Sequence, residues 1–194
     1  MILPKPPIAG NGWPETWLDG PADCAAALSC FDALAGLEPE SMIGRWRGVG
    51  FPTGHPLDGV LESLGWYGKA FESADTVHPL LFRTRSGEVV PLDPRLMPVS
   101  VALRWPSFAR SAPVRAAFAA GRAFLHAHHS GARLRTDNFR GKRSAALIYD
   151  RQPIIDHFRR IDDHRVLGLM EMRGMERPFF FLLTRERILN DARS

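Results

Sequence analysis

Cysteine is scarce in this 194-residue chain, with only Cys24 and Cys30 present. Six apart in one Ala-rich segment, they form neither a Cys-x-x-Cys redox pair nor a disulfide framework or zinc site. Long apolar runs are missing too. None reaches the length a membrane-crossing helix needs, and residues 1–10 carry Pro4, Pro6 and Pro7 where a signal peptide would be apolar. These absences predict a soluble, cytoplasmic protein. Also missing are an internal repeat, a low-complexity tract, an aromatic RNP pattern, finger spacing and a helix-turn-helix, so nucleic acid is not an expected partner. No Cys-x-x-Cys-His attaches a haem, and no nucleophile sits at a recognisable distance from a base. No cofactor is implied.

What is present points to β-structure. Between Phe139 and Arg185 four short runs follow one another: Arg143–Tyr149, Ile154–Ile161, Arg165–Met172 and Pro178–Arg185, separated by turn-forming residues such as Asp150, Pro153, Asp162 and Gly174. Short turns between successive strands imply an antiparallel meander. Both faces are apolar. Ile154 and Phe158 project opposite to Ile155 and Ile161, and Phe179, Phe181 and Leu183 opposite to Phe180 and Leu182. A sheet apolar on both sides needs a lumen within and a helix or second layer without.

Upstream, Pro21–Gly36 favours a helix, with Asp23 at its start and Gly36 at its end, that could plug or cover a barrel mouth. Met42–Phe51 is the first strand, with Trp46, Gly48 and Gly50 on one face and Arg45, Arg47, Val49 and Phe51 on the other. Trp46 there suits a barrel's closed end. A short helix through Leu57, Val60, Leu61 and Leu64 leads into Trp66–Phe71. Val77–Arg85 and Glu88–Leu92 form a hairpin about Ser86-Gly87, Val99–Trp105 reads as another strand, Val114–His129 as a helix, and Arg133–Arg140 alternates. From Arg95 to Arg143 ten basic residues face Asp137 alone, a net +9 in a chain whose total is +4. Such a block is a solvated surface or a contact for DNA, anionic lipid or an anionic ligand.

Gly44-Arg-Trp-Arg-Gly48, Pro52-Thr-Gly-His-Pro56, Leu64-Gly-Trp-Tyr-Gly-Lys69 and His78-Pro-Leu-Leu-Phe82 together resemble the GXWXG domain of bacterial proteins of unknown function. Phe139-Arg-Gly141, Ala145–Asp150, Pro153–Arg159, Leu167–Met170 and Pro178–Leu183 resemble the DUF4334 domain found after it. More weakly, the Gly-x-Trp strand is similar to that of lipocalins, fatty-acid-binding proteins and nitrobindins, which implies a closed barrel around an apolar ligand. The expected organisation is an N-terminal arm over 1–20 that carries Trp13 and Trp17, one barrel domain over 21–185 and a tail over 186–194. Within the domain, 36–92 is GXWXG-like, 93–132 a basic helical insert and 133–185 the DUF4334-like meander.

The fold class expected is β-rich α+β, a calycin-like antiparallel barrel of about eight strands with two or three helices. Its expected function is binding a small hydrophobic ligand, first of all a fatty acid. Arg45, Lys69 and Arg140 would orient the acidic head, and Trp46, His55, Trp66, Tyr67, His78, Tyr149, Asp156 and Phe158 would complete the site. Asp156, between Ile154 and Phe158, is buried if that face is the lumen, and must then be paired. An enzyme, a hydrolase or isomerase working through Asp156, His157 and Arg159, is the alternative. A nitrobindin-like haem protein, with His55, His78 or His157 as axial ligand, is another. His126-Ala-His-His129 reads as surface histidines rather than metal ligands. Met170, Met172 and Met175 suit core filling or a cavity that adapts to its ligand.

Overall fold

A computed structural model describes residues 23–84, 86–97, 99–121, 125–127 and 129–186. The arm with Trp13 and Trp17, and the tail beyond 186, lie outside the described residues. Nine strands occur among the described residues: β1 (Gly44–Gly50), β2 (Trp66–Phe71), β3 (Val77–Arg83), β4 (Val89–Pro91), β5 (Ala132–Phe139), β6 (Lys142–Tyr149), β7 (Ile154–Arg160), β8 (Arg165–Met172) and β9 (Phe179–Arg185). All but β4 close into an antiparallel barrel in the order β1, β2, β3, β5, β6, β7, β8, β9 and back to β1. The meander and hairpin expected from the sequence are both there.

Alternation along each strand sorts the side chains into two cores. Inside, Trp46, Phe71, Phe158, Phe181 and Leu183 pack the narrow end of the barrel. Phe71 and Phe181 each meet Phe158 edge-on, at 5.9 and 6.2 Å between ring centres. Trp46 donates its indole N–H to the Met42 carbonyl at 2.7 Å, which ties β1 to the 3-10 turn Pro39–Met42. Outside, Leu167, Leu169, Phe180 and Leu182 are covered by helix α1 (Cys24–Ala33) through Ala27, Cys30 and Phe31. Asp23 caps α1 by accepting from the Ala26 N–H at 2.7 Å. α1 therefore lies on the barrel wall and not over its mouth, because its Phe31 and Leu34 stripe matches the second apolar face of β8 and β9. Gly36 does not end this helix. It sits where a Cβ would come 2.3 Å from the Arg143 carbonyl, so it allows the chain to cross close over β6.

One seam of the barrel is thin. β3 meets β5 only at Val77 and Ala132, and its far edge is taken instead by β4, from Leu81 to Arg83. The chain leaves through this seam into α3 (Val99–Arg104), α4 (Pro106–Ala109) and α5 (Ala112–Gly121), and returns into β5. Helix α2 (Val60–Ser63) lies before β2. The expected strand over Val99–Trp105 is thus a helix: Val99, Ala102 and Leu103, spaced three and four apart, pack on the inner core, a period a strand cannot offer. Five helices replace the two or three expected, because Pro106 begins a new one and Pro113 falls in the first turn of the next. Among the described residues no helix is long and apolar enough to cross a membrane.

Candidate ligand-binding site

Between the wide end of the barrel and the lid formed by α3, α4 and α5 lies a cavity of about 200 Å³. Its walls come from Leu61 on α2 and Leu64 at its end, Trp66 on β2, Ile154 on β7, Phe179 and Phe181 on β9, and Ala102, Phe108, Val114 and Phe118 on the lid. Phe118 anchors α5 by contacting Phe82 of β3 at 5.4 Å between ring centres. The Trp66 ring lies on Gly48, where a Cβ would come within 2.4 Å of it, and meets Phe181 edge-on at 6.0 Å. The second glycine of the Gly-x-Trp-x-Gly strand thus makes room for the tryptophan that lines the cavity. Trp46, by contrast, belongs to the packed end.

One corner of this apolar space is ionic. Lys69 on β2, Tyr149 on β6 and Asp156 on β7 all border the cavity, and both charged side chains are almost fully buried. Lys69 Nζ donates to Asp156 Oδ2 at 2.8 Å, to Tyr149 Oη at 3.1 Å and to the Pro79 carbonyl at 3.2 Å. Tyr149 Oη lies 3.2 Å from Asp156 Oδ2 and donates to it. Burial, and then the Asp156 charge, push the Tyr149 phenol well above its ordinary value, so it stays protonated. Asp156 Oδ1 is buried and finds no hydrogen-bond partner among the described residues.

Lys69 reaches the lumen through an irregularity. Trp66 points inward, and strict alternation would turn a residue three positions later outward, yet Lys69 and Phe71 are inside. The pairing of β2 with β3 slips on both sides of Gly68, whose φ of 150° lies in glycine territory and whose Cβ would strike the Trp46 carbonyl at 1.9 Å. This bulge brings the ammonium across the barrel to Asp156.

Of the other expected site residues, Phe158 is inside but belongs to the packed end, one layer beyond the cavity. Arg45 and Tyr67 are on the outer surface: the Arg45 guanidinium stands over the Tyr67 ring at 5.0 Å and contacts Glu186 at 3.2 Å, and Tyr67 hydroxyl also donates to Glu186. Arg140 is exposed in the turn between β5 and β6 and pairs with Asp32 of α1 at 2.7 Å. Alternation and the turn take Arg45 and Arg140 outside, and of the trio expected to orient a head group Lys69 alone borders the cavity. His78 also faces outward, its Nε2 3.5 Å from Glu72. His55 is buried in the loop after β1, where its Nδ1 accepts from the Leu57 N–H at 3.1 Å and its ring meets Phe179 at 5.6 Å. Burial lowers its pKa.

The catalytic grouping of Asp156, His157 and Arg159 is divided by the same alternation. Asp156 is in the lumen, whereas His157 and Arg159 lie on the outer face. His157 stacks on Phe139 at 3.7 Å, with Asp137 and Glu171 at 3.6 and 3.4 Å. Arg159 lies over the Phe31 ring at 4.6 Å and donates to the Phe139 and Phe158 carbonyls at 2.7 and 3.1 Å. None of His55, His78 and His157 lines the cavity, so the axial-ligand assignments for haem find no support in this geometry. Among the described residues no cluster of His, Cys, Asp or Glu has metal-binding geometry. Within His126–His129, His128 lies outside the described residues.

Most of the basic segment is tied to its own chain. Arg95, Arg133, Arg135, Arg140 and Arg143 pair with Asp93, Asp150, Asp75, Asp32 and Glu38, and Lys142 donates to the Asp32 and Leu34 carbonyls. Arg110 donates to the Asp58 carbonyl at 2.9 Å, which holds the lid to the loop before α2. A wider groove of about 810 Å³, bordered by Asp93, Arg95, His126 and His129, shares Pro94, Tyr149 and Gln152 with the cavity. Neither Lys69 nor Asp156 borders that groove.

The lid residues escape a reading of the sequence because Val99–Trp105 alternates well enough to pass for a strand; the 99, 102, 103 spacing is the signal that identifies it. The Lys69–Asp156 pair joins positions 87 apart on strands that are not neighbours, and no local pattern predicts it.

Residues 29–87 match the GXWXG protein family, and residues 130–185 match the domain of unknown function DUF4334. The chain is similar to a protein from Thermomonospora curvata known from its crystal structure. The two are 35% identical, the likeness covers 86% of this chain and 90% of that one, and the TM-score is 0.64. No curated protein matches.

Proposed function

The chain belongs to the family in which a GXWXG domain is followed by a DUF4334 domain, and from its barrel we propose that it binds a small hydrophobic molecule without transforming it. The observation that carries this reading is the cavity itself, an apolar space of about 200 Å³ beneath α3, α4 and α5 and furnished with one ionic corner. An apolar cavity of about 150 Å³ is enough to hold benzene. The space here therefore suits a compact molecule better than an extended fatty-acyl chain. Apolar burial supplies the affinity: about 200 Å² removed from water is worth ~5 kcal/mol before the cost of association is subtracted.

A second reading, an enzyme acting through the same corner, is favoured by the 3.2 Å contact of Tyr149 with Asp156, a protonated phenol beside a carboxylate. Native mass spectrometry of freshly purified protein, followed by organic extraction, tests the proposal. A reproducible mass increment that extracts as a small apolar molecule is the expected result. A clean mass, together with no thermal stabilisation by a panel of small aromatic and aliphatic compounds, contradicts it.

A further inference from the structure

The ionic corner specifies which polar group the ligand carries. Lys69 Nζ has three protons, and three acceptors surround it: Asp156 Oδ2, Tyr149 Oη and the Pro79 carbonyl. The single Tyr149 proton also goes to Asp156 Oδ2. Every donor hydrogen of the corner is thereby placed within the chain. What remains is an acceptor, the buried Oδ1 of Asp156, a residue that lines the cavity; it has no partner among the described residues. A buried carboxylate oxygen needs a donor, and no described residue supplies one.

Resting on the cavity being the ligand site, we propose that the barrel selects compact hydrophobic molecules with a neutral hydrogen-bond donor, an alcohol or phenol, whose hydroxyl donates to Asp156 Oδ1. An ionised carboxylic acid is disfavoured by the same geometry. It brings only acceptors, its charge faces Oδ1, and the Lys69 ammonium that would attract it is already neutralised by Asp156 at 2.8 Å. On this proposal a fatty acid, the ligand suggested by the barrel analogy, is a poorer match to the corner than a neutral donor.

Isothermal titration of the whole chain at pH 7 with three para-substituted toluenes tests this: p-cresol and 4-fluorotoluene, which match in size, and 4-methylbenzoate, which adds a carboxylate. A hydroxyl donating to a carboxylate makes p-cresol bind roughly tenfold or more tightly than 4-fluorotoluene, and 4-methylbenzoate the weakest. If 4-fluorotoluene binds as well as p-cresol, the donor rule falls while the cavity stands. If 4-methylbenzoate binds best, the corner reads acids and the proposal is overturned. If none of the three binds, the cavity reading falls with it. A variant carrying both Lys69→Met and Asp156→Leu replaces the pair with apolar groups and keeps the fold. It should still bind 4-fluorotoluene and lose the preference for p-cresol; a preference that survives this replacement also overturns the proposal.

Discussion

Strand β7 buries charge on both of its faces, and the two faces use it differently. Outside, Arg159 is fixed by two carbonyls and the Phe31 ring, and His157 by Phe139 between two carboxylates. Inside, Asp156 is fixed by Lys69 and Tyr149. All three residues keep one polar atom without a hydrogen-bond partner. Only Asp156 borders empty space. Buried charge by itself therefore does not identify a site; the outer pair fastens α1 and β5 to the barrel, whereas the inner group has a free acceptor and a volume beside it for something to occupy.

The largest way to break this comparison is to remove Lys69. Lys69→Ala leaves Asp156 buried without its counter-charge and should cost about 3–5 kcal/mol in urea unfolding, whereas the combined Lys69→Met and Asp156→Leu replacement should cost far less. Equal losses in the two would mean that the corner is not an ion pair. Next is the outer face: Arg159→Leu removes the Arg159 donor from the Phe139 carbonyl and one of two donors from the Phe158 carbonyl, which Ser144 also holds at 2.6 Å, and should cost about 1–3 kcal/mol. Its affinity for p-cresol should stay within about twofold of the parent, since Arg159 is outside the barrel wall. A change in affinity as large as the Lys69 variant shows would merge the two faces.

The smallest effect is in pH. Burial holds the His157 imidazole below its ordinary value of 6.5, against the opposing pull of Glu171, Asp137 and Asp156. The unfolded chain then takes up the proton more readily than the folded one, so the stability linked to neutral His157 is present above pH 6.5 and is lost as pH falls through the lower folded value. Unfolding midpoints measured from pH 7 down to pH 5 should fall more steeply for the parent than for His157→Gln. Parallel profiles would show that His157 is not held neutral by its surroundings.

Much of this architecture is legible in the sequence where alternation is regular. The strands from Lys142 to Arg185 and their two apolar faces follow from a period of two, and so does the separation of Asp156 from His157. Legibility fails where one residue breaks the period. Gly68 admits a bulge that turns Lys69 inward, and nothing in Trp66–Phe71 announces it. It fails again in the lid, where Val99, Val101 and Leu103 mimic a strand. The ionic corner adds a further difficulty, because it joins a bulged residue of β2 to β6 and β7 across the barrel.

The most direct test of the account is a nuclear magnetic resonance titration of isotope-labelled protein with p-cresol. The account predicts shifts concentrated on the Trp66 indole N–H, Leu61, Ala109 and Ile154, with α1 and the His157 ring unmoved. Shifts centred on α1 or on the outer face of β7, with the Trp66 indole silent, would contradict it.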